Sequence, residues 1–321
     1  MIQSFKTHEF ERGLTMDSNQ FLSNTLVILN PAANRGKMDK YRTLVVDRAK
    51  REQARYIETT KQGEAKELAM IAAKEGCPLI IVGGDGSVHE VVNGILSSGL
   101  RVPLGIVGAG SGNDFAWNAL KLPRDPAHSI EKAFNGQLVE VDAGIVNGSY
   151  FANSFSIGLD ADIAVSADRM KNIPFMSGAR LYYTATIKQL LLGYRNCPWL
   201  SFQLQGGDGS ITKIQSKHFV LIAITNGPTY GAGFRINPKA NHADGLFDVC
   251  TIDYAPLLRA LKLLPVVKKG EHLGLPEVTC YLAKSISIES QNCVNVQMDG
   301  ETSSSNSYSI ENLPAALLLR V

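Results

Sequence analysis

The pattern of apolar and polar positions changes character once along the chain, near residue 138. Ahead of that point, short β-branched runs alternate with stretches of helical period. Residues 25–29 (TLVIL) form such a run, closed by Asn30-Pro31, and 54–59 (ARYIET), 79–82 (LIIV) and 103–107 repeat the texture. Short apolar runs bounded by turn residues predict buried strands. Between them, 39–53 and 63–74 predict helices, as does the segment after Gly86. There Val88, Val91, Val92, Ile95 and Leu96 fall at i, i+3, i+4, i+7 and i+8, which is one helical stripe. A further short helix is expected over 113–120. Strands alternating with helices imply a doubly wound parallel sheet covered on both faces.

Beyond residue 138 the segments are short, β-rich and broken by Gly, Asn and Asp, as in SKHFVLIAITNG and SISIESQNCVNVQMDG. That texture predicts an antiparallel, sandwich-like second domain. Two helical inserts, 178–192 and 255–268, interrupt it. The expected division is a mobile arm over 1–24, an α/β domain over 25–137 and a β-rich domain over 138–310. The apolar tail 311–321 returns to the first domain.

The chain has 321 residues and its charges nearly cancel, 32 Lys+Arg against 30 Asp+Glu for a net +2. Nothing in that balance suits wrapping nucleic acid, so no nucleic-acid partner is expected. The five cysteines are scattered and never spaced as CxxC, which points to a reducing cytoplasmic setting and against a zinc site or disulfide framework. The N-terminus lacks an apolar signal region, and no uninterrupted apolar stretch reads as a membrane span, so any membrane contact is expected to be peripheral. The 29 glycines are informative because they cluster.

One cluster is IIVGGDGSVHEVVNGI, residues 80–95, in which a strand delivers Gly83, Gly84, Asp85 and Gly86 into a tight turn and a helix starts at once. Glycines let backbone N–H groups approach a ligand, and a helix N-terminus favours negative charge, so the arrangement suits phosphate. Neither GxGxxG nor a Walker lysine is present. Asp85 beside phosphate calls for a metal or a transferring proton; otherwise the segment is an ordinary strand-to-helix turn with an acidic cap. A second cluster, PLGIVGAGSGNDFAWNAL over 103–120, ends a strand in Gly108, Gly110 and Gly112 with Ser111, Asn113 and Asp114 beside them. Two such loops at the carboxyl edge of one sheet face a common crevice, where open α/β sheets bind ligands. The turn Asn30-Pro31-Ala32-Ala33-Asn34-Arg35-Gly36-Lys37 adds two basic side chains.

GGDGSVHEVVNG resembles the GGDGT-type signature of the diacylglycerol kinase catalytic family, which includes bacterial lipid kinases and eukaryotic diacylglycerol, sphingosine and ceramide kinases. Asn30-Pro31, GSGNDFA at 110–116, SIGLDADIA at 156–164, ADGLFDV at 243–249 and MDGE at 298–301 agree with it in order and spacing. The resemblance runs from about residue 25 to 321 and implies an ATP-dependent lipid kinase using Mg²⁺. It implies that Gly83, Gly84, Asp85, Gly86, Ser87, Val88 and His89 bind nucleotide phosphates. Ser111, Gly112 and Asn113 of the second loop, with Asn30 and Thr59, line the same site. Glu301 matches the general base, and Asp85 and Asp114 complete the expected catalytic set. Asp244, through its side chain, and Phe247 and Val249, through their carbonyls, match a structural divalent-cation site, with Asp114 and Asp142 linking that ion to the active site. A lipid presented at a membrane surface is the implied partner; the assembly state is open, a homodimer included.

The sequence departs from the pattern in Ser87 and Ser111, which keep the hydroxyl of the commoner Thr. Gly108 stands where Pro is usual, and Trp117 where an Arg is common. The segments 181–192 and 255–267 are apolar helices with basic flanks. That composition fits docking to an anionic membrane, and it fits equally helices that close a domain core. The rival readings are an NAD kinase, which shares a GGDGT-type loop, and a catalytically silent lipid- or nucleotide-binding protein.

Overall fold

Strands from both halves of the chain join one continuous thirteen-stranded sheet. The structure, a computed structural model, describes residues 24–170, 178–231 and 233–321. The arm expected over 1–24 lies outside them except for Asn24.

The first half runs β1 (Leu26–Leu29), α1 (Asp39–Arg51), β2 (Arg55–Glu58), α2 (Glu64–Lys74), β3 (Leu79–Gly83), α3 (Asp85–Ser98), β4 (Pro103–Gly108) and α4 (Pro126–Asn135). These strands pair in parallel, in the order β2-β1-β3-β4. Alternation along each strand feeds two cores. Leu26, Ile28, Leu79 and Ile81 pack on α2 and α3, while Val27, Leu29, Ile80 and Val82 pack on α1 and α4. Burial on both faces is why these strands read as unbroken apolar runs. Helix α4 was not expected, although Asp125 accepts the His128 N–H and Pro126 opens the helix, a start signal visible in the sequence. The helix expected over 113–120 is one wide turn, Phe115–Ala119, in which the Leu120 N–H reaches the Phe115 carbonyl.

The second half contains β5 (Leu138–Val146), β6 (Ser149–Phe151), β7 (Ser154–Gly158), α5 (Leu159–Met170), α6 (Gly178–Lys188), β8 (Trp199–Gln205), β9 (Ile211–Thr225), β10 (Phe247–Asp253), α7 (Leu257–Lys269), β11 (Val278–Ala283), β12 (Ser285–Met298) and β13 (Glu301–Arg320). Its strands are antiparallel and enclose Phe151, Phe155, Phe202, Phe219 and Phe247. Helices α5, α6 and α7 cover the outside through Leu159, Ile163, Ala185 and Leu264. Helix α5 is a third insert beyond the two expected. Its start, Leu159-Asp160-Ala161-Asp162, is acidic and follows Gly158 at φ +124, which suits a helix N-terminus.

The two halves meet along β13. Its first part pairs with β12, its later part with β5, and Leu318–Arg320 run parallel to β4. Val141 and Ala143 of β5 belong to the first core and Val146 to the second. The division therefore falls inside β5, not at 137/138, and β13 is shared by both units. A strand that crosses two cores has no break in its apolar pattern to mark the crossing.

Candidate active site

The carboxyl ends of β1, β3 and β4 bring three of the sequence motifs into contact. Asn30 Nδ2 donates to Ser87 Oγ at 2.8 Å, and Asn30 Oδ1 accepts the Ala32 N–H at 2.9 Å. Gly83 lies beneath this pair, where a Cβ would come within 2.6 Å of Ser87. The two glycine loops touch backbone to backbone, since a Cβ on Gly110 would stand 2.5 Å from the Gly84 Cα. Helix α3 begins at this contact and no side chain caps it. Its first N–H groups and the positive end of its dipole therefore face the crevice, as an anion site requires.

Asp85 joins the loops. Its Oδ2 accepts the Asn113 N–H at 2.7 Å and would be 2.8 Å from a Cβ on Gly112. Burial, reinforced by the nearby Asp114 carboxylate, pushes the Asp85 carboxyl up to about 6 against the pull of the Asn113 and Asp114 N–H groups. Asp114 is buried and accepts from Asn118 Nδ2 at 2.8 Å.

The β12–β13 hairpin enters from the other half. Its turn, Asp299-Gly300, has φ +50 and +95, the conformation Asp-Gly favours in a two-residue hairpin. Asp299 accepts three backbone N–H groups, from Ala152 at 2.7 Å, Asn153 at 3.0 Å and Ser154 at 2.9 Å. His89 Nδ1 lies 3.6 Å from Asp299 Oδ2. Burial pulls the His89 imidazole down, but Asp299, with Glu301 and Glu90, outweighs it and holds the pKa above its ordinary value. Glu301 is exposed at the start of β13, with Oε1 3.4 Å from where a Cβ on Gly86 would lie. It therefore stands beside the N-terminus of α3, while Asp299 and Gly300 of the same motif line the cleft.

Between the halves lies a cavity of about 350 Å³ whose walls include Asp85, Ser111, Asp114, Asn153, Gln297 and Asp299. It shares Asp160, Tyr230 and Gly231 with an apolar cavity of about 110 Å³ that runs between α5, α7 and β9–β10. Asp160 Oδ2 accepts from Ser156 Oγ at 2.5 Å and Tyr230 OH at 2.8 Å. Burial raises the Asp160 carboxyl above its ordinary pKa, against those two donors.

Asp244, Phe247 and Val249 stand apart from both cavities. Asp244 is exposed and accepts the Leu246 N–H at 3.1 Å, while Phe247 and Val249 are buried in β10. Asp142 accepts the Gly245 N–H at 2.7 Å and the Ala315 N–H at 2.8 Å, where β13 bulges. It therefore ties the Asp244 turn to the strand shared by both halves. Thr59 is buried at the end of β2, its N–H bonded to the Leu29 carbonyl, one strand farther from the glycine loops than Asn30. Among the described residues no three His, Cys, Asp or Glu side chains converge as a metal cage. Asp85 and Asp114 suit a Mg²⁺ held mainly by phosphate oxygens, because that ion keeps few protein ligands.

Sequence reasoning did not single out Asp299, Asp160 or Tyr230. Asp299-Gly300 carries a readable hairpin signal and Asp160 lies within the SIGLDADIA motif at 156–164; Tyr230 carries none, because its meeting with Asp160 depends on how α5 and the loop after β9 pack.

Residues 24–146 match the family model of the diacylglycerol kinase catalytic domain, and residues 153–321 match the YegS C-terminal NAD kinase beta sandwich-like domain. A diacylglycerol kinase of Bacillus subtilis is 30% identical over 284 residues, covering 86% of this chain and 88% of that one. One from Mycobacterium tuberculosis is 29% identical over 260 residues, 79% and 80% of the two chains. Among solved structures, a diacylglycerol kinase from Bacillus anthracis superposes with a TM-score of 0.67 at 21% identity, covering 92% of this chain and 96% of that one. That likeness speaks to the fold.

Proposed function

The chain belongs to the diacylglycerol kinase catalytic family, and from that premise we propose that this lipid kinase transfers the γ-phosphate of Mg-ATP to a hydroxyl of diacylglycerol or a closely related lipid. The observation that carries the reading is the junction of two unlike cavities at Asp160, Tyr230 and Gly231. One side presents the carboxylates and amides of Asp85, Asp114, Asn153, Gln297 and Asp299, with the glycine loops on its wall. The other is apolar and suits an acyl chain. A lipid lying across the junction would present its hydroxyl to the phosphate side and bury its chain behind α7.

Phosphoryl transfer asks the protein mainly for position and charge neutralisation. Backbone N–H groups at the start of α3 and in the 110–113 loop would hold phosphate oxygens, with Asn30 and Ser87 fixing the loop. Asp85 and Asp114 would hold a Mg²⁺ together with the phosphates, and that ion would supply the positive charge that allows phosphate beside those carboxylates. Glu301 takes the proton of the lipid hydroxyl. The Asp244 turn, with the Phe247 and Val249 carbonyls, is proposed as the structural cation site.

A membrane-facing surface fits the same reading. Leu191, Leu192 and Leu258 are exposed, close in sequence to Leu190 and Ala260 of the apolar cavity wall and to Lys188, Arg195 and Lys262. Apolar side chains among basic ones suit an anionic bilayer. No helix among the described residues is long and apolar enough to cross a membrane.

Labelled ATP offered with diacylglycerol, phosphatidylglycerol, a sphingoid base and NAD⁺ tests the proposal. A labelled lipid is the expected product. Label in NAD⁺ alone, or in none, would overturn it.

A further inference from the structure

The five cysteines are scattered along the sequence, yet two of them meet. Cys250 of β10 and Cys280 of β11 are directly opposed in an antiparallel register. Side chains of opposed residues leave the sheet on the same face, with Cα atoms about 4.5–5.5 Å apart, inside the range a disulfide spans. Register alone therefore brings the two thiols together. Cys250 is fully buried, whereas Cys280 is exposed, and β11 is the edge strand of the sheet. An edge strand can shift to close a bond without breaking a second ladder.

We propose that Cys250 and Cys280 form a reversible oxidation site for hydrogen peroxide, with Cys280 as the thiol that meets the oxidant and Cys250 as the thiol that resolves it.

The asymmetry of the pair assigns the roles. Cys280 lies where an oxidant can reach it and the neighbouring Cys250 thiol lowers its pKa, while Cys250 lies behind it, raised by its neighbour and by burial. Asp248 opposes the thiolate at Cys280 and Lys239 favours it. On the inner side, His272 Nε2 lies 3.8 Å from Cys250 Sγ and 2.9 Å from the Ile236 carbonyl. The Cys280 thiolate attacks a peroxide oxygen, the O–O bond breaks, and hydroxide leaves behind a sulfenic acid. Cys250 then attacks that sulfur, the S–S bond forms, and the sulfenic oxygen departs as hydroxide. The protons of the two thiols convert both hydroxides to water. Two thiols are oxidised, one peroxide is reduced and two waters form. The bond would brace β10, whose Ile252 and Asp253 line the apolar cavity. The proposal is independent of which substrate the kinase takes.

Intact-mass measurement of the full chain after hydrogen peroxide, followed by peptide mapping, tests the site. The expected result is a loss of about 2 Da with a peptide linking residues 250 and 280, reversed by dithiothreitol. The exposed Cys280→Ser variant folds normally and loses the link, and Cys250→Ala shows Cys280 oxidised with no link. Oxygen addition at Cys280 of the unmodified chain without a linked peptide overturns the proposal, as does linkage through exposed Cys293.

Discussion

Replacing Asp85 by Asn should make the protein more stable near neutral pH while removing most of its activity. Asp85 lies between the two glycine loops, and burial with the Asp114 carboxylate raises it from an ordinary 3.8 to about 6. At about 1.4 kcal/mol per pH unit, that interval corresponds to about 3 kcal/mol. The sign follows from proton uptake. Between the two values the folded chain holds a proton that the unfolded chain has released, so stability falls as pH rises from about 4 through about 6 and stays low above that. An asparagine carries no such penalty. Its amide oxygen still accepts the Asn113 N–H now held at 2.7 Å, and the pull of that donor on the carboxylate is already contained in the value of about 6. The variant should therefore gain up to about 3 kcal/mol at about pH 8, with little or no gain at about pH 4. Urea unfolding of both proteins at the two pH values measures this, and transfer from labelled ATP should fall by about 100-fold or more. An equal stability difference at both pH values would refute the assignment of Asp85 as a strained, buried acid.

Glu301→Gln should lower turnover by about 100-fold or more with an unchanged melting temperature, and near-normal transfer would remove Glu301 from the role of base. Gly110→Ala places a Cβ 2.5 Å from the Gly84 Cα. Because the obstruction is backbone, it should cost about 1–3 kcal/mol and raise the KM for ATP, read from melts and ATP titrations. Asp299→Ala strips the acceptor from three N–H groups of the 152–154 turn. A loss of about 2–4 kcal/mol in urea unfolding is expected, whereas Asp299→Asn should recover part of it. Leu191→Glu with Leu258→Glu should weaken sedimentation with anionic vesicles at least about tenfold and leave ATP binding intact; undiminished vesicle binding would move the membrane surface elsewhere.

Legibility differed sharply between the two halves of the site. The first half could be read along the chain, because each of its features is local. A strand, a glycine turn and a helix start follow one another within a dozen residues, and parallel strands alternating with helices place every such turn at the same sheet edge. The contacts of Asn30 with Ser87 and of Gly84 with Gly110 are the outcome. Asp142, expected as a link to a cation, holds the Asp244 turn and the β13 bulge through backbone N–H groups. Its place became clear only once β5 and β13 were paired.

What the amino-acid sequence determined by itself was the alternating α/β layer, the two phosphate-suited loops and the β-rich texture of the second half, because period, turn chemistry and propensity act over a few residues. Only the tertiary structure decided that β13 runs through both halves and that Asp299 closes on the 152–154 turn. It alone placed Asp160 and Tyr230 where the polar cavity meets the apolar one, and Cys250 against Cys280. Pairings across 30 to 180 residues are set by sheet register and helix packing, and the free energy of such contacts leaves no periodic trace in the residues that make them.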